Sequence, residues 1–179
     1  MKRFILKFGT IAGLGLSAMM ALSISLIHDT GTLGMLVGYT TMVLAFSLVY
    51  FGVRSYRDTE GNGSISFGRA FVLGIAITSL ASLFYVGTWE IMYYKFMPDF
   101  GTKYAAAAVE KARAAGASQA KLDATKAEMD KFAELYKNPV INAAMTFLEP
   151  LPVGLIMALV CAAMLRRKAD GNERLAVAT

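Results

Sequence analysis

Four long apolar stretches are the feature that most constrains the fold of this chain. They lie at about residues 8–27, 31–53, 68–90 and 140–165. A helix of about 20 residues is about 30 Å long, which matches the hydrocarbon core of a bilayer. Apolar residues make up 56% of the chain and charged residues only 17%, a composition typical of membrane proteins. The sequence predicts an all-α polytopic membrane protein with four transmembrane helices, forming one domain over residues 1–179.

The first apolar stretch follows a basic N-terminus that contains Lys2, Arg3 and Lys7. A cleaved signal peptide has a similar basic start, but its apolar stretch is normally about 7–15 residues long. Because this stretch is longer, we interpret it as a retained transmembrane helix.

The region between the third and fourth stretches has the composition of a water-soluble helical segment. Pro98 ends the apolar pattern, Ala, Lys and Glu then dominate, and Asn138 with Pro139 closes the region. Gly116 interrupts it and Ser118 is a candidate N-cap. We therefore predict a helical hairpin at about 98–138, whereas the tail 169–179 is predicted to be disordered.

The second helix of this hairpin carries a narrow apolar stripe. Leu122, Met129 and Tyr136 recur every seven residues, and Phe132 extends the same face. Such a stripe suits packing against the preceding helix or against a partner protein. The stripe is a candidate partner-binding face.

Basic residues predict the orientation in the membrane. The N-terminus, the connection with Arg54, Arg57 and Arg69, and the C-terminus after Leu165 are basic, whereas the first connection has no Lys or Arg. Basic connections face the cytoplasm. We therefore expect both termini to be cytoplasmic and the hairpin at 98–138 to be extracytoplasmic.

Small residues recur at a spacing of four within the apolar stretches. This spacing lets helices approach closely in lipid. Two interpretations stay open, packing within one bundle or a homodimer contact. The packing candidates are Gly9, Gly13, Ser17, Gly34, Gly38, Gly74 and Gly154.

Acidic residues near the outer ends of the stretches are the candidate functional polar groups. Glu149 lies within the fourth stretch, Glu90 ends the third, and Asp29 follows the first. Acids inside a membrane tend to be functional, and these three could converge and attract a cation. Alternatively, Glu149 forms a hydrogen bond with a Ser, Thr or Tyr of a neighbouring helix or pairs with Lys95.

Other function classes have little support. The chain has one Cys, Cys161, and one His, His28, whereas a structural zinc site needs about four such ligands. No catalytic Ser–His or Cys–His arrangement is visible, so we expect no catalytic residues, no metal site and no cofactor. No nucleic-acid-binding motif is present either.

Several short segments together resemble an uncharacterised bacterial membrane protein family, domain of unknown function 4199. The resemblance covers nearly the whole chain and implies a four-span protein of the bacterial inner membrane, with no established activity. Besides Gly38 and Tyr39, the similar segments are residues 4–9 (FILKFG), 52–58 (GVRSYRD), 65–70 (ISFGRA), 94–100 (YKFMPDF), 134–139 (ELYKNP) and 146–154 (TFLEPLPVG).

Two functions are expected from these features. The first is a non-enzymatic protein that binds an unknown membrane or periplasmic protein through the hairpin, because membrane anchoring alone does not require such a segment. The alternative is a small oligomeric ion or solute permease with Glu149 and Glu90 near its outer mouth. A membrane enzyme ranks last, since no nucleophile or metal set is visible.

Overall fold

The structure is a computed structural model that describes residues 1–26 and 32–167. Within these residues the chain is helical and has no strand, apart from one isolated backbone bridge between Ile65 and Arg167. The predicted all-α class is confirmed. The helices are α1 Lys2–Leu26, α2 Thr32–Thr59, α3 Phe67–Phe96, α4 Phe100–Ala114, α5 Gln119–Tyr136, α6 Pro139–Leu148 and α7 Leu151–Leu165.

Four segments are long and apolar enough to cross a membrane, which confirms a multi-pass membrane protein. They are Lys2–Ile24, Leu36–Thr59, Phe67–Phe96 and Pro139–Leu165. The helices extend beyond several of the predicted apolar limits, since α1 begins at Lys2 and α2 continues to Thr59. Charged residues mark the edge of the apolar stretch, but they do not end a helix.

The fourth span consists of two helices rather than one. α6 ends at Leu148 and α7 begins at Leu151, so Glu149 and Pro150 separate them. Pro150 and Pro152 lack the backbone N–H that a continuous helix would use, which explains the interruption. The acid of this span therefore lies where the helix is broken.

The chain folds into two compact units. Among the described residues, the span unit comprises those of Met1–Tyr85 and 149–167, and the hairpin unit comprises Val86–Leu148. In the span unit α2 packs against α1 and α7. Leu44 and Ile156 remain about 60% exposed or more, as expected for side chains that face lipid. The single domain expected over residues 1–179 stays a prediction.

Turn residues define the helices of the hairpin unit. Gly116 adopts a φ of +76° between α4 and α5, a conformation that glycine adopts without strain. Ser118 occupies the N-cap position of α5, although its side chain makes no capping hydrogen bond. The Asn138 side chain caps α6 by accepting hydrogen bonds from the backbone N–H groups of Val140 and Ile141. The predicted helical hairpin is thus present.

The beginning of α3 is capped by a side chain. The hydroxyl oxygen of Ser66 accepts a hydrogen bond from the backbone N–H of Arg69, a typical N-cap contact. His28, Asp29 and the tail 169–179 lie outside the described residues, so the predictions made for them stay predictions.

Candidate functional site

The contact between α3 and α7 positions most of the polar groups of the span unit. Ile65 and Arg167 exchange two backbone hydrogen bonds of 3.0 Å at one end of it. Further along, a Cβ atom placed on Gly74 would lie 3.0 Å from the Cβ of Ala158. Residues later in α3 contact residues earlier in α7. The two helices are therefore antiparallel and in close contact.

The closest approach of these helices is at Gly154. A Cβ atom on Gly154 would lie 2.1 Å from Cγ2 of Thr78, far inside van der Waals contact. Only glycine fits opposite Thr78 without a rearrangement. Gly74 and Gly154, two of the predicted packing residues, thus lie at helix contacts within the chain.

The predicted packing residues of α1 lie against α3. A Cβ atom on Gly9 would come within 2.8 Å of Leu80, and one on Gly13 within 2.7 Å of Phe84. The hydroxyl of Ser17 donates a hydrogen bond to the backbone carbonyl of Phe84. These three small residues also pack within the chain.

The two small residues of α2 differ from those of α1. Gly34 is half-buried, and a Cβ atom on Gly38 would have no described atom within 4 Å. Gly38 is therefore open to lipid or to a second copy of the chain.

A group of polar side chains lies at the contact between α3 and the beginning of α7. The Tyr85 hydroxyl donates a hydrogen bond of 3.2 Å to Oε2 of Glu149. Thr78 and Ser82 are fully buried, and their hydroxyl oxygens have no hydrogen-bond partner among the described residues. Because Thr78, Ser82 and Tyr85 are spaced by four and three residues, they lie on one face of α3. We call these four residues the α3–α7 polar group.

The α3–α7 polar group offers one carboxylate and three hydroxyl oxygens. Such hard oxygen atoms suit a small cation or a polar solute, and a buried hydroxyl without a partner is costly. The sequence left two roles open for Glu149, a cation site or a hydrogen bond with a neighbouring helix. The hydrogen bond between Glu149 and Tyr85 corresponds to the second role. Sequence reasoning found Glu149, but it missed Ser82 and Thr78 as polar groups, because hydroxyl side chains are common in transmembrane helices.

The three acids that were expected to converge belong to different parts of the chain. Glu90 belongs to the hairpin unit, where its Oε1 atom is buried without a partner among the described residues. Asp29 lies outside the described residues. Their convergence with Glu149 stays a prediction.

The hairpin unit contains a buried hydrogen-bond network around Asn142. This fully buried side chain accepts a hydrogen bond of 2.9 Å from Nε1 of Trp89 and one of 3.3 Å from the Thr146 hydroxyl. Its amide nitrogen donates to the backbone carbonyl of Tyr136 at 3.2 Å. Sequence reasoning missed Asn142, although an Asn with a Thr four residues later on the same helical face is a polar signal in an apolar stretch.

Aromatic rings pack around this network. Neighbouring rings lie at centroid distances between 4.8 and 6.5 Å, and several pairs are edge to face, a favourable arrangement. The rings belong to Trp89, Tyr93, Phe100, Tyr104, Phe132 and Tyr136.

The candidate partner-binding stripe of α5 is largely covered inside the hairpin unit. Leu122 and Tyr136 are each 8% exposed, and Met129 and Phe132 are half-buried. The Phe132 ring lies 5.8 Å from that of Tyr104 on α4. Of the two roles that the sequence left open for the stripe, packing against the preceding helix is the one observed.

The surface of the hairpin unit carries ion pairs between residues three or four apart. Nζ of Lys103 lies 2.7 Å from the Asp99 carboxylate, and Nζ of Lys137 lies 2.7 Å from that of Glu134. The hydrogen bond from Lys103 lowers the pKa of Asp99, and the hydrogen bond to Glu134 raises the pKa of Lys137. Such exposed pairs contribute little to stability. Because positive and negative side chains are nearly equal in number, this surface carries many charges but almost no net charge.

Metal and catalytic groups were not expected from the sequence. In residues 1–26 and 32–167, no three His, Cys, Asp or Glu side chains are grouped so that they could hold a metal ion. Cys161 is a buried free thiol in α7. The expectation that the chain has no catalytic residues stays a prediction.

Comparison with known proteins gives one match. No curated protein and no solved structure matches the chain significantly. A family model described as protein of unknown function (DUF4199) matches residues 7–167. This range includes nearly all of the four spans and the whole hairpin unit. The chain therefore belongs to the DUF4199 family of proteins of unknown function.

Proposed function

We propose that this protein is a non-enzymatic, multi-pass membrane protein that binds another protein through its hairpin unit. The proposed location is the bacterial inner membrane, with both termini in the cytoplasm and residues 98–138 on the opposite side of the membrane. The distribution of Lys and Arg supports this orientation, because the connection between α2 and α3 is basic and the hairpin has balanced charge.

The observation that carries this proposal is the separate core of the hairpin unit. A connection between two spans needs only a few residues, whereas residues 98–138 have an aromatic cluster of their own, formed by Phe100, Tyr104, Phe132 and Tyr136. A segment that only joins two helices would not need these costly ordered groups. A folded module with a charged, solvated surface is what protein recognition requires.

The contact surface would lie on side chains that the hairpin core leaves exposed. Leu135 on α5 is 44% exposed, whereas Leu122 on the same helix is only 8% exposed. An exposed apolar side chain is accessible to a partner protein, whereas a covered one is not. Leu135 is therefore a suitable position from which to capture a partner.

Photocrosslinking in cells tests the proposal. A photoreactive amino acid at Leu135 should capture one defined heterologous protein, and the same group at Leu122 should capture none because that position is covered. Capture of only the chain itself, or equal capture from both positions, would contradict binding through this surface.

A second candidate function is a small oligomeric ion or solute permease, and the α3–α7 polar group favours it. Glu149 lies at the break in the fourth span, and broken helices line the binding sites of many transporters. Flux through the reconstituted protein should fall when Glu149→Gln is introduced. Glu128→Gln, which neutralises an exposed acid of α5, is the matched control. Equal flux in both variants would argue against a permease.

A further inference from the structure

A shallow, open cleft on the span unit lies along the C-terminal part of α2 beside Phe8 of α1, away from the α3–α7 polar group. Its volume is about 530 Å³. Leu48 and Phe51 of α2 line one end together with Phe8 of α1. This end lies within the apolar part of the span and is formed by hydrocarbon and aromatic groups.

The other end of the cleft is polar. Arg54, Ser55 and Thr59 line it and follow the apolar residues along the same face of α2. From Leu48 to Thr59 the helix rises by about 16 Å. The cleft therefore changes from apolar to polar along the membrane normal, as a phospholipid does between its acyl chains and its headgroup.

The polar end carries one cation and one anion, Arg54 and Asp58. The Asp58 carboxylate accepts a contact of 2.7 Å from Nε of Arg57 and a longer one of 3.5 Å from Nε of Arg54. Because its closer partner is Arg57, Asp58 occupies only one edge of the Arg54 guanidinium, and the Arg54 side chain is 54% exposed. An anionic ligand would pair with the exposed edge of the Arg54 guanidinium.

We propose that this cleft binds an anionic glycerophospholipid. The lipid phosphate binds the guanidinium of Arg54, which matches phosphate geometry through paired N–H groups. The hydroxyl of Ser55 lies beside it, and one acyl chain follows Phe51 and Leu48 towards the middle of the bilayer. The bilayer supplies such a ligand at high local concentration, and juxtamembrane basic residues attract anionic lipids.

Native mass spectrometry of the full-length protein in detergent tests the proposal. The probes are phosphatidylglycerol and phosphatidylcholine with the same acyl chains. The wild-type protein should bind phosphatidylglycerol more tightly. Arg54→Gln should weaken phosphatidylglycerol binding about tenfold, which corresponds to about 1.4 kcal/mol. It should weaken phosphatidylcholine binding less, because the choline cation of that lipid already offsets its phosphate.

Arg69→Gln is the matched control, because it removes an exposed positive charge from the beginning of α3, outside the cleft. It should retain the wild-type preference. Ser55→Leu fills the cleft without changing charge, so it should reduce binding of both lipids and serves as the test if Arg54→Gln does not fold. Equal binding of both lipids to the wild type would overturn the proposal, as would equal losses in the two arginine variants or unchanged binding in Ser55→Leu.

Discussion

Gly154→Ala tests the contact between α3 and α7 most directly. The added Cβ atom would lie 2.1 Å from Cγ2 of Thr78 and 3.0 Å from its hydroxyl oxygen. Overpacking of this kind typically costs about 1–3 kcal/mol, whereas replacing glycine by alanine in a helix returns about 0.5–1 kcal/mol. We therefore expect the free energy of unfolding to fall by about 0.5–2 kcal/mol.

A second substitution shows whether Thr78 causes this loss. Thr78→Ala removes the two closest of the three Thr78 atoms that the new Cβ would meet and leaves Cβ at 3.1 Å, so the double variant should recover most of the lost stability. The assay is equilibrium unfolding in mixed detergent micelles, analysed as a double-mutant cycle. Gly15→Ala is the control, because no described atom lies within 4 Å of its added Cβ. Wild-type stability of Gly154→Ala, or no recovery in the double variant, would refute the proposed helix register.

Three further predictions follow from other parts of the chain. Asn142→Leu should lower stability by about 1–3 kcal/mol, because it leaves the buried N–H of Trp89 without its acceptor; fluorescence of this single tryptophan reports the unfolding. Gly38→Leu should leave unfolding unchanged and weaken any association between copies, measured by sedimentation in detergent. Because Lys103 lowers the pKa of Asp99 below its usual 3.8, their pair stabilises the beginning of α4 above that pH and is lost as the pH falls through the lowered value. The hydrogen-exchange protection of α4, corrected for the intrinsic pH dependence of amide exchange, should therefore fall on acidification, and less so in Lys103→Met.

The sequence was sufficient to predict the four spans and the two helices of the hairpin, because each has a local signal, but not the division of the fourth span into α6 and α7. An apolar stretch of sufficient length specifies a span wherever it packs. Pro98, Gly116 and Asn138 act through backbone conformation and capping, which depend on neighbouring residues only. The ends of the helices were less predictable, since Lys2 and Thr59 are helical although they lie beyond the apolar stretches.

The contacts between helices could not be predicted in the same way. Thr78, Ser82 and Asn142 are all fully buried. From a single sequence, however, a hydroxyl or amide side chain that faces lipid cannot be distinguished from one that faces a neighbouring helix. The register of α3 against α7 depends on which small residue meets which side chain. Gly154 was recognisable as a packing residue, but its contact with Thr78 required the three-dimensional structure.

Two buried polar side chains, Asn142 and Ser82, differ in a way that affects how variants are interpreted. Both polar atoms of the Asn142 side chain take part in hydrogen bonds, so a loss of function in its variants would be confounded with a loss of stability. Ser82 is equally buried, but its hydroxyl has no partner in the described part of the chain. Removing a buried hydroxyl without a partner also removes its desolvation cost.

Ser82→Ala should therefore be as stable as the wild-type protein or slightly more stable. Unfolding in mixed micelles checks this expectation, and a loss of more than about 1 kcal/mol would mean that the hydroxyl has a stabilising partner. Because stability is preserved, a change in ion-linked flux or growth in Ser82→Ala would result from altered ligand binding. Unchanged flux, together with unchanged flux in Glu149→Gln, would remove the support for a permease and leave protein binding by the hairpin unit as the function to pursue.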